Sequence, residues 1–165
     1  QSVRYQVVVQ AREMGEGTVI TGISWHRSGS YPHLSLFEGA EIRMGEATGP
    51  VLGEVFSRNL VPGTSVTVFH DDSLWLAEPE GWVEIEFDTP FEYVAGTHLL
   101  IEVVHTTAQP GFFTWHWETG ENRGLLGYGP DAERGYLYTD IPHLLLECSQ
   151  AGLEACTFGG IKASF

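Results

Sequence analysis

Positive charge is scarce in this chain. Eight Lys and Arg stand against 22 Asp and Glu, a formal net charge of −14, and Lys162 is the only lysine. Nucleic-acid binding draws its affinity from cations that displace counterions at phosphates, so this balance excludes a nucleic-acid partner. Anionic membrane surfaces are disfavoured for the same reason. Long apolar runs are also lacking. With no stretch of about 18 apolar residues, the sequence holds no membrane-spanning helix. Cysteine is limited to Cys148 and Cys156. That pair alone lacks the ligand count for zinc. In a secreted chain the two would join and close a small loop, contributing about 2–3 kcal/mol; in a cytosolic chain they would stay thiols. The start at Gln1 in place of Met is what trimming or removal of a signal peptide would leave, so the disulfide is the expectation. Helical periodicity is missing, since no 3.6-residue pattern persists beyond a turn or two. Catalytic signatures are missing too: there is no G-x-S-x-G, no H-E-x-x-H and no D-x-D-x-D-G loop.

What the chain does have is alternation. Val83, Ile85 and Phe87 alternate with Glu84, Glu86 and Asp88, which is a half-buried strand that Thr89-Pro90 should end. Leu99 to Val104 is a short, nearly continuous apolar run, read as a central strand buried on both faces. Val3, Tyr5, Val7, Val9 and Ala11 share one face of an N-terminal strand. Further strands are expected at Thr18–Trp25, with Gly22 marking a bulge or close packing, around Glu41–Met44, at Glu54–Leu60 and at Ser65–His70. Asp71-Asp72 reads as an acidic turn. Phe113, Trp115 and Trp117 alternate as the core face of another strand, and Gly135–Tyr138 and His143–Glu147 add two short ones. Frequent breaks (20 Gly and 8 Pro) suit a many-stranded protein of 165 residues. The expected fold is all-β: a single jelly-roll-like antiparallel β-sandwich of about ten strands. Residues 1–12 form an extended N-terminal strand, 13–147 the sandwich, and 148–165 a short cysteine-bearing tail.

The run Gly17-Thr18-Val19-Ile20-Thr21-Gly22-Ile23, then Ile42-Arg43-Met44-Gly45, then Gly81-Trp82 through Val103 resembles a jelly-roll-like β-sandwich module of bacterial secreted and cell-surface proteins. In that module the pattern runs roughly as G-W-v-t-I-t-L-d-t-P-F followed by N-L-l-I-e-v. The resemblance spans roughly Tyr5 to Glu147. His98 stands where the family often has Asn, and the cysteine-bearing tail lies outside the pattern. The resemblance implies an extracellular, non-catalytic module used in adhesion, surface assembly or carriage of other domains, and it names no ligand.

Several groups are weighed as sites. Glu84, Glu86 and Asp88 could supply paired carboxylates for glycoside hydrolysis, but they read as an acidic outer face that discourages aggregation. Asp71 and Asp72, with Glu78 and Glu80 nearby, are a candidate calcium site, the one cofactor considered. The seven histidines show no metal-ligand spacing. Trp82 and Trp75 are candidates for stacking on sugars. Val3, Tyr5, Val7 and Val9 are either the module's own first strand or an arm that adds to a neighbour's open sheet, with Phe165 on a second arm. An arm of that kind could be removed without loss of the fold, and a non-closing contact between copies would build a filament. The expected function is a non-enzymatic, secreted subunit that self-assembles at a bacterial surface; the alternative is a carbohydrate-binding adhesin module.

Overall fold

In the computed structural model of the protein the described residues are 2–15, 19–29, 34–77, 80–109, 112–149 and 155–157. Phe165, one of the expected assembly residues, lies outside them. The strands are β1 (Val3–Val9), β2 (Val19–Arg27), β3 (Ser35–Ala47), β4 (Val66–Leu76), β5 (Gly81–Glu92), β6 (His98–His105) and β7 (Thr107–Gln109). They continue as β8 (His116–Glu118), β9 (Gly124–Tyr128), β10 (Tyr136–Tyr138), β11 (Asp140–Pro142), β12 (Leu144–Ser149) and β13 (Ala155–Thr157). No helix among the described residues is long and apolar enough to cross a membrane.

The strands form a β-sandwich of antiparallel sheets. The larger sheet has the order β10-β9-β1-β6-β3-β4, with β7 also pairing β3; the smaller is β13-β12-β2-β5, and β11-β8 form a two-stranded ribbon. One core lies between the two main sheets. Val7 and Val9 of β1, Ile42 of β3 and Ile101 of β6 meet Ile20 and Ile23 of β2, Ile85 and Phe87 of β5 and Leu146 of β12. A second, smaller core covers the other side of the larger sheet. There Val8, Leu100 and Leu125 pack under Leu52 and Phe56 from the β3–β4 connection. Strand β6 is therefore buried on both faces: Leu99 and Ile101 point between the sheets and Leu100 points the other way. That is why the apolar run there is broken only by Glu102, whereas β5, which has only one covered face, alternates.

Four local expectations are corrected. Strand β4 runs unbroken through Asp71-Asp72, with Asp71 opposite Ala40 and Ser73 opposite Glu38. At an edge strand such carboxylates stay in water, and Asp71 accepts the Ser73 N–H at 2.8 Å. Pro90 does not end β5. The pairing with β2 jumps from Glu86–Gly22 to Phe91–Ile20, so the missing N–H falls where the ladder is interrupted. Residues 54–60 hold a 3-10 turn at Phe56–Arg58 instead of a strand, which drops the Phe56 ring into the second core. In the 112–118 segment only His116–Glu118 is strand.

The N-terminal strand is the chain's own. It pairs over its whole length with β6, Val3 opposite His105 through Val9 opposite Leu99, and on its other edge with β9. A donated arm would leave its hydrogen bonds to be made in another subunit; here both ladders close internally. Deleting residues 2–10 should therefore abolish the fold instead of releasing an arm. The expected result is loss of the cooperative thermal transition by circular dichroism and an insoluble chain. A soluble, cooperatively melting product would show that β1 is dispensable.

Candidate ligand-binding face

The smaller sheet turns one face to the core and the other to solvent. On β5 the inward residues are Val83, Ile85 and Phe87, so Trp82, Glu84, Glu86 and Asp88 point outward. Register then sets three rows across the sheet. Trp82 lies opposite His26, Glu84 opposite Ser24, and Glu86 opposite Gly22. Beyond β2, Leu145 lies opposite Ser24 and Glu147 opposite Gly22.

The first row is a line of flat rings. His26 stacks on Trp82 with centroids 4.8 Å apart and planes 21° from parallel. On its other side His143 stacks at 6.1 Å and 11°. The backbone fixes this row. The His26 N–H donates to the His143 carbonyl at 3.1 Å, the Trp115 N–H to the His26 carbonyl at 2.9 Å, and the His143 N–H to the Trp115 carbonyl at 2.8 Å. Trp82 is 45% exposed and Trp115 49%. Partial burial, then the charges of His26 and His116, hold the His143 imidazole below its ordinary pKa, which favours the neutral ring.

The third row is built around an absent side chain. A Cβ on Gly22 would stand 3.0 Å from the Ile85 carbonyl oxygen and 3.1 Å from Glu147 Oε2, so glycine leaves room for that carboxyl to lie across β2. The Ser24 hydroxyl donates to Glu147 Oε1 at 3.1 Å. Desolvation, more than the opposing Ser24 bond, pushes the Glu147 carboxyl up, and the neighbouring Glu84 and Glu86 add to the rise. Among the described residues no ion pair involves Glu84, Glu86 or Glu147. The face offers planar rings for stacking beside carboxyl groups that accept hydrogen bonds, on an open sheet surface.

The sequence candidates fall in different places. Trp82 belongs to this face. Trp75 does not: on β4 it sits between Leu74 and Leu76, which point toward the space between the sheets, so it projects from the far side of the larger sheet, 56% exposed. The two tryptophans cannot share a ligand. Phe113 and Trp115, expected in the core, are about half exposed because their segment is not held in a strand. Trp117 is partly buried against the core, with the Arg123 guanidinium 5.9 Å from its ring. Val3, Tyr5, Val7 and Val9 point between the sheets, and the Tyr5 hydroxyl is buried without a hydrogen-bond partner, burial raising its pKa. Successive Asp71 and Asp72 face opposite sides of β4, so they do not converge; among the described residues no group of three or more His, Cys, Asp or Glu has the spacing to hold a metal ion. His26 and His143 were not singled out as site residues from sequence, and Trp115 was assigned to the core, because they are brought together only through cross-strand register.

Fold and face define the class: an antiparallel β-sandwich with an aromatic and carboxyl-bearing sheet surface. No family model matches the chain, and no curated protein is significantly similar to it.

Two predictions follow from this geometry. An acid with a raised folded pKa binds its proton more tightly folded than unfolded, so its contribution to stability is lost as pH rises from the ordinary value of 4.5 through the raised one. Glu147→Gln should raise Tm by about 1–2 °C at pH 7, a small gain because the site is solvent-screened, and by nothing at pH 3. A gain of equal size at both pH values would remove the electrostatic cause. Separately, β12–β13 pairing sets the Cys148 backbone opposite that of Cys156. Directly opposed antiparallel residues have Cα atoms about 4.5–5.5 Å apart, within the range a disulfide spans. Thiol titration of the oxidised, denatured chain should find no free thiol; two titratable thiols would reject the crosslink.

Proposed function

We propose that this protein is a non-catalytic binding module that recognises neutral glycans through the solvent face of its smaller sheet. The observation that carries this reading is the row Trp82–His26–His143, three near-parallel rings beside Glu84 and Glu147. His26 is covered on both faces by its neighbours, so the outer ring faces of Trp82 and His143 are the ones that suit the apolar C–H face of a pyranose, and carboxyl oxygens accept the hydroxyl donors at its rim. The net charge of −14 and the three uncompensated glutamates favour neutral sugars over uronic or sialic acids. The resemblance noted in the sequence supports an extracellular location at a bacterial surface, where such polymers lie.

A second reading, contact between copies, rests on the edge of the larger sheet at β10. Strand β10 has β9 as its ladder partner, and Tyr128, Tyr136 and Tyr138 stand exposed around it, Tyr136 by 65%. Tyrosine-rich sheet edges suit association with another strand. The opposite edge suits it less, because the Asp88 carboxylate already accepts the His70 N–H of β4 at 3.0 Å.

The glycan reading predicts binding on an array or in a pull-down with insoluble neutral polysaccharide. Trp82→Ala should weaken it at least tenfold, while Trp75→Ala on the other sheet leaves it unchanged. Binding that survives Trp82→Ala, or depends equally on Trp75, would overturn it. For the second reading, Tyr136→Asp should shift any oligomer toward monomer in sedimentation velocity.

A further inference from the structure

The space between the two sheets is filled at one end and open at the other. Along the inward face of β1, Val9 and Val7 are buried while Tyr5 is only partly covered. Along β6 the same change runs from Leu99 and Ile101 to Val103, and the register places these residues side by side, Val9 with Leu99 and Tyr5 with Val103. Trp25, Phe37, Phe69 and Leu74 continue the open end. Together they wall a cleft of about 330 Å³. Space of that size left unfilled by the described residues is unfavourable, because each lining atom forfeits dispersion contacts on one side. It is the size of a small-molecule site.

Composition and shape select the occupant. The lining is mainly apolar and carries aromatic rings from β1, β2, β3 and β4. The charged groups at its margin are engaged. Glu41 holds Arg43 through both oxygens at 2.7 Å and accepts the Thr67 hydroxyl at 2.7 Å. His116 Nδ1 lies 3.1 Å from Asp140. A charged ligand would therefore be desolvated without a counter-charge. We propose that this cleft binds a small, uncharged, ring-bearing hydrophobic molecule, stacked among Trp25, Phe37 and Phe69, at a site separate from the Trp82 face.

N-phenyl-1-naphthylamine, an uncharged fluorescent probe, tests this. The expected result is saturable enhancement with one site per chain, displacement by naphthalene, and a Tm that rises with probe concentration. The sulfonated analogue 1-anilino-8-naphthalenesulfonate should bind at least tenfold more weakly. Leu74→Trp and, independently, Val103→Phe should fill the cleft and each lower probe affinity at least tenfold while keeping a cooperative melt. Trp82→Ala should leave probe binding intact, which separates this site from the glycan face. Absence of saturable binding, or affinity unchanged in a folded cleft-filling variant, would overturn the proposal. So would a wild-type dimer that either filling variant converts to monomer, since a second copy would then occupy the cleft.

Discussion

The structure depends on the placement of β1 between β6 and β9. Its seven residues pair with β6 and five of them, Val3–Val7, also pair with β9, while their side chains serve both sides of the larger sheet. Val7 and Val9 enter the main core, and Val8 enters the second. Gln6 ties the covering loop down: its amide nitrogen donates to Glu102 at 2.7 Å and to the Phe56 carbonyl at 3.3 Å, while its oxygen accepts the Asn59 amide at 3.0 Å. The Arg123 guanidinium donates twice to the Val8 carbonyl, at 3.1 and 3.0 Å. Within this chain both edges of the strand are hydrogen-bonded and both of its faces are covered.

A chain with few cations uses half of them internally: Arg4, Arg27, Arg43 and Arg123 of eight. Arg27 is fully buried and Arg123 nearly so. Arg27 donates to the Ser35 hydroxyl at 3.0 Å, and its guanidinium lies 5.0 Å from the Phe112 ring. Arg123 pairs with Glu13. Arg4 and Arg43 meet on the buried Glu102 at 2.8 and 3.2 Å, so that carboxylate is matched by two guanidiniums. Committing arginines there leaves the outer face of the smaller sheet without compensation. The raised Glu147 carboxyl is a consequence of that distribution, and so is the preference of the face for uncharged partners.

Strand alternation was readable where one face meets water and the other meets core. Val83, Ile85 and Phe87 point inward as their spacing indicated, and the nearly continuous run in β6 is buried on both faces as its composition indicated. The sandwich itself followed from those signals. The partner of each strand did not, because period two tells a strand which face is apolar and nothing about which strand lies beside it. That is why β1 could equally be read as an arm. The candidate face was half legible for the same reason: Trp82 had the parity of an exposed residue, whereas His26, His143 and Trp115 come together from distant segments. The open end of the core was not legible at all. Tyr5, Trp25 and Phe69 look like core residues in sequence, and only the geometry of the two sheets leaves them half covered.

The bulge in β2 makes the two surfaces of the smaller sheet chemically distinct. Ile20 and Ile23 are three residues apart, so a regular strand would place them on opposite faces. Both are fully buried in the same core. The pairing with β12 passes from Gly22 to Ile20, leaving Thr21 out of the ladder, and that extra residue restores the parity. Downstream of it Ile23 and Trp25 point inward, and Gly22, Ser24 and His26 point outward. Without the bulge, strand β2 would bury either Ile20 or Ile23 but not both, and keeping Ile20 inside would turn Ser24 and His26 into the core. The expectation that Gly22 marks a bulge or a close approach is met in both senses: it flanks the bulge, and its missing Cβ admits the Glu147 carboxyl. One local irregularity thus sets the ring row and the acid row on the outside and directs Trp25 toward the cleft on the inside.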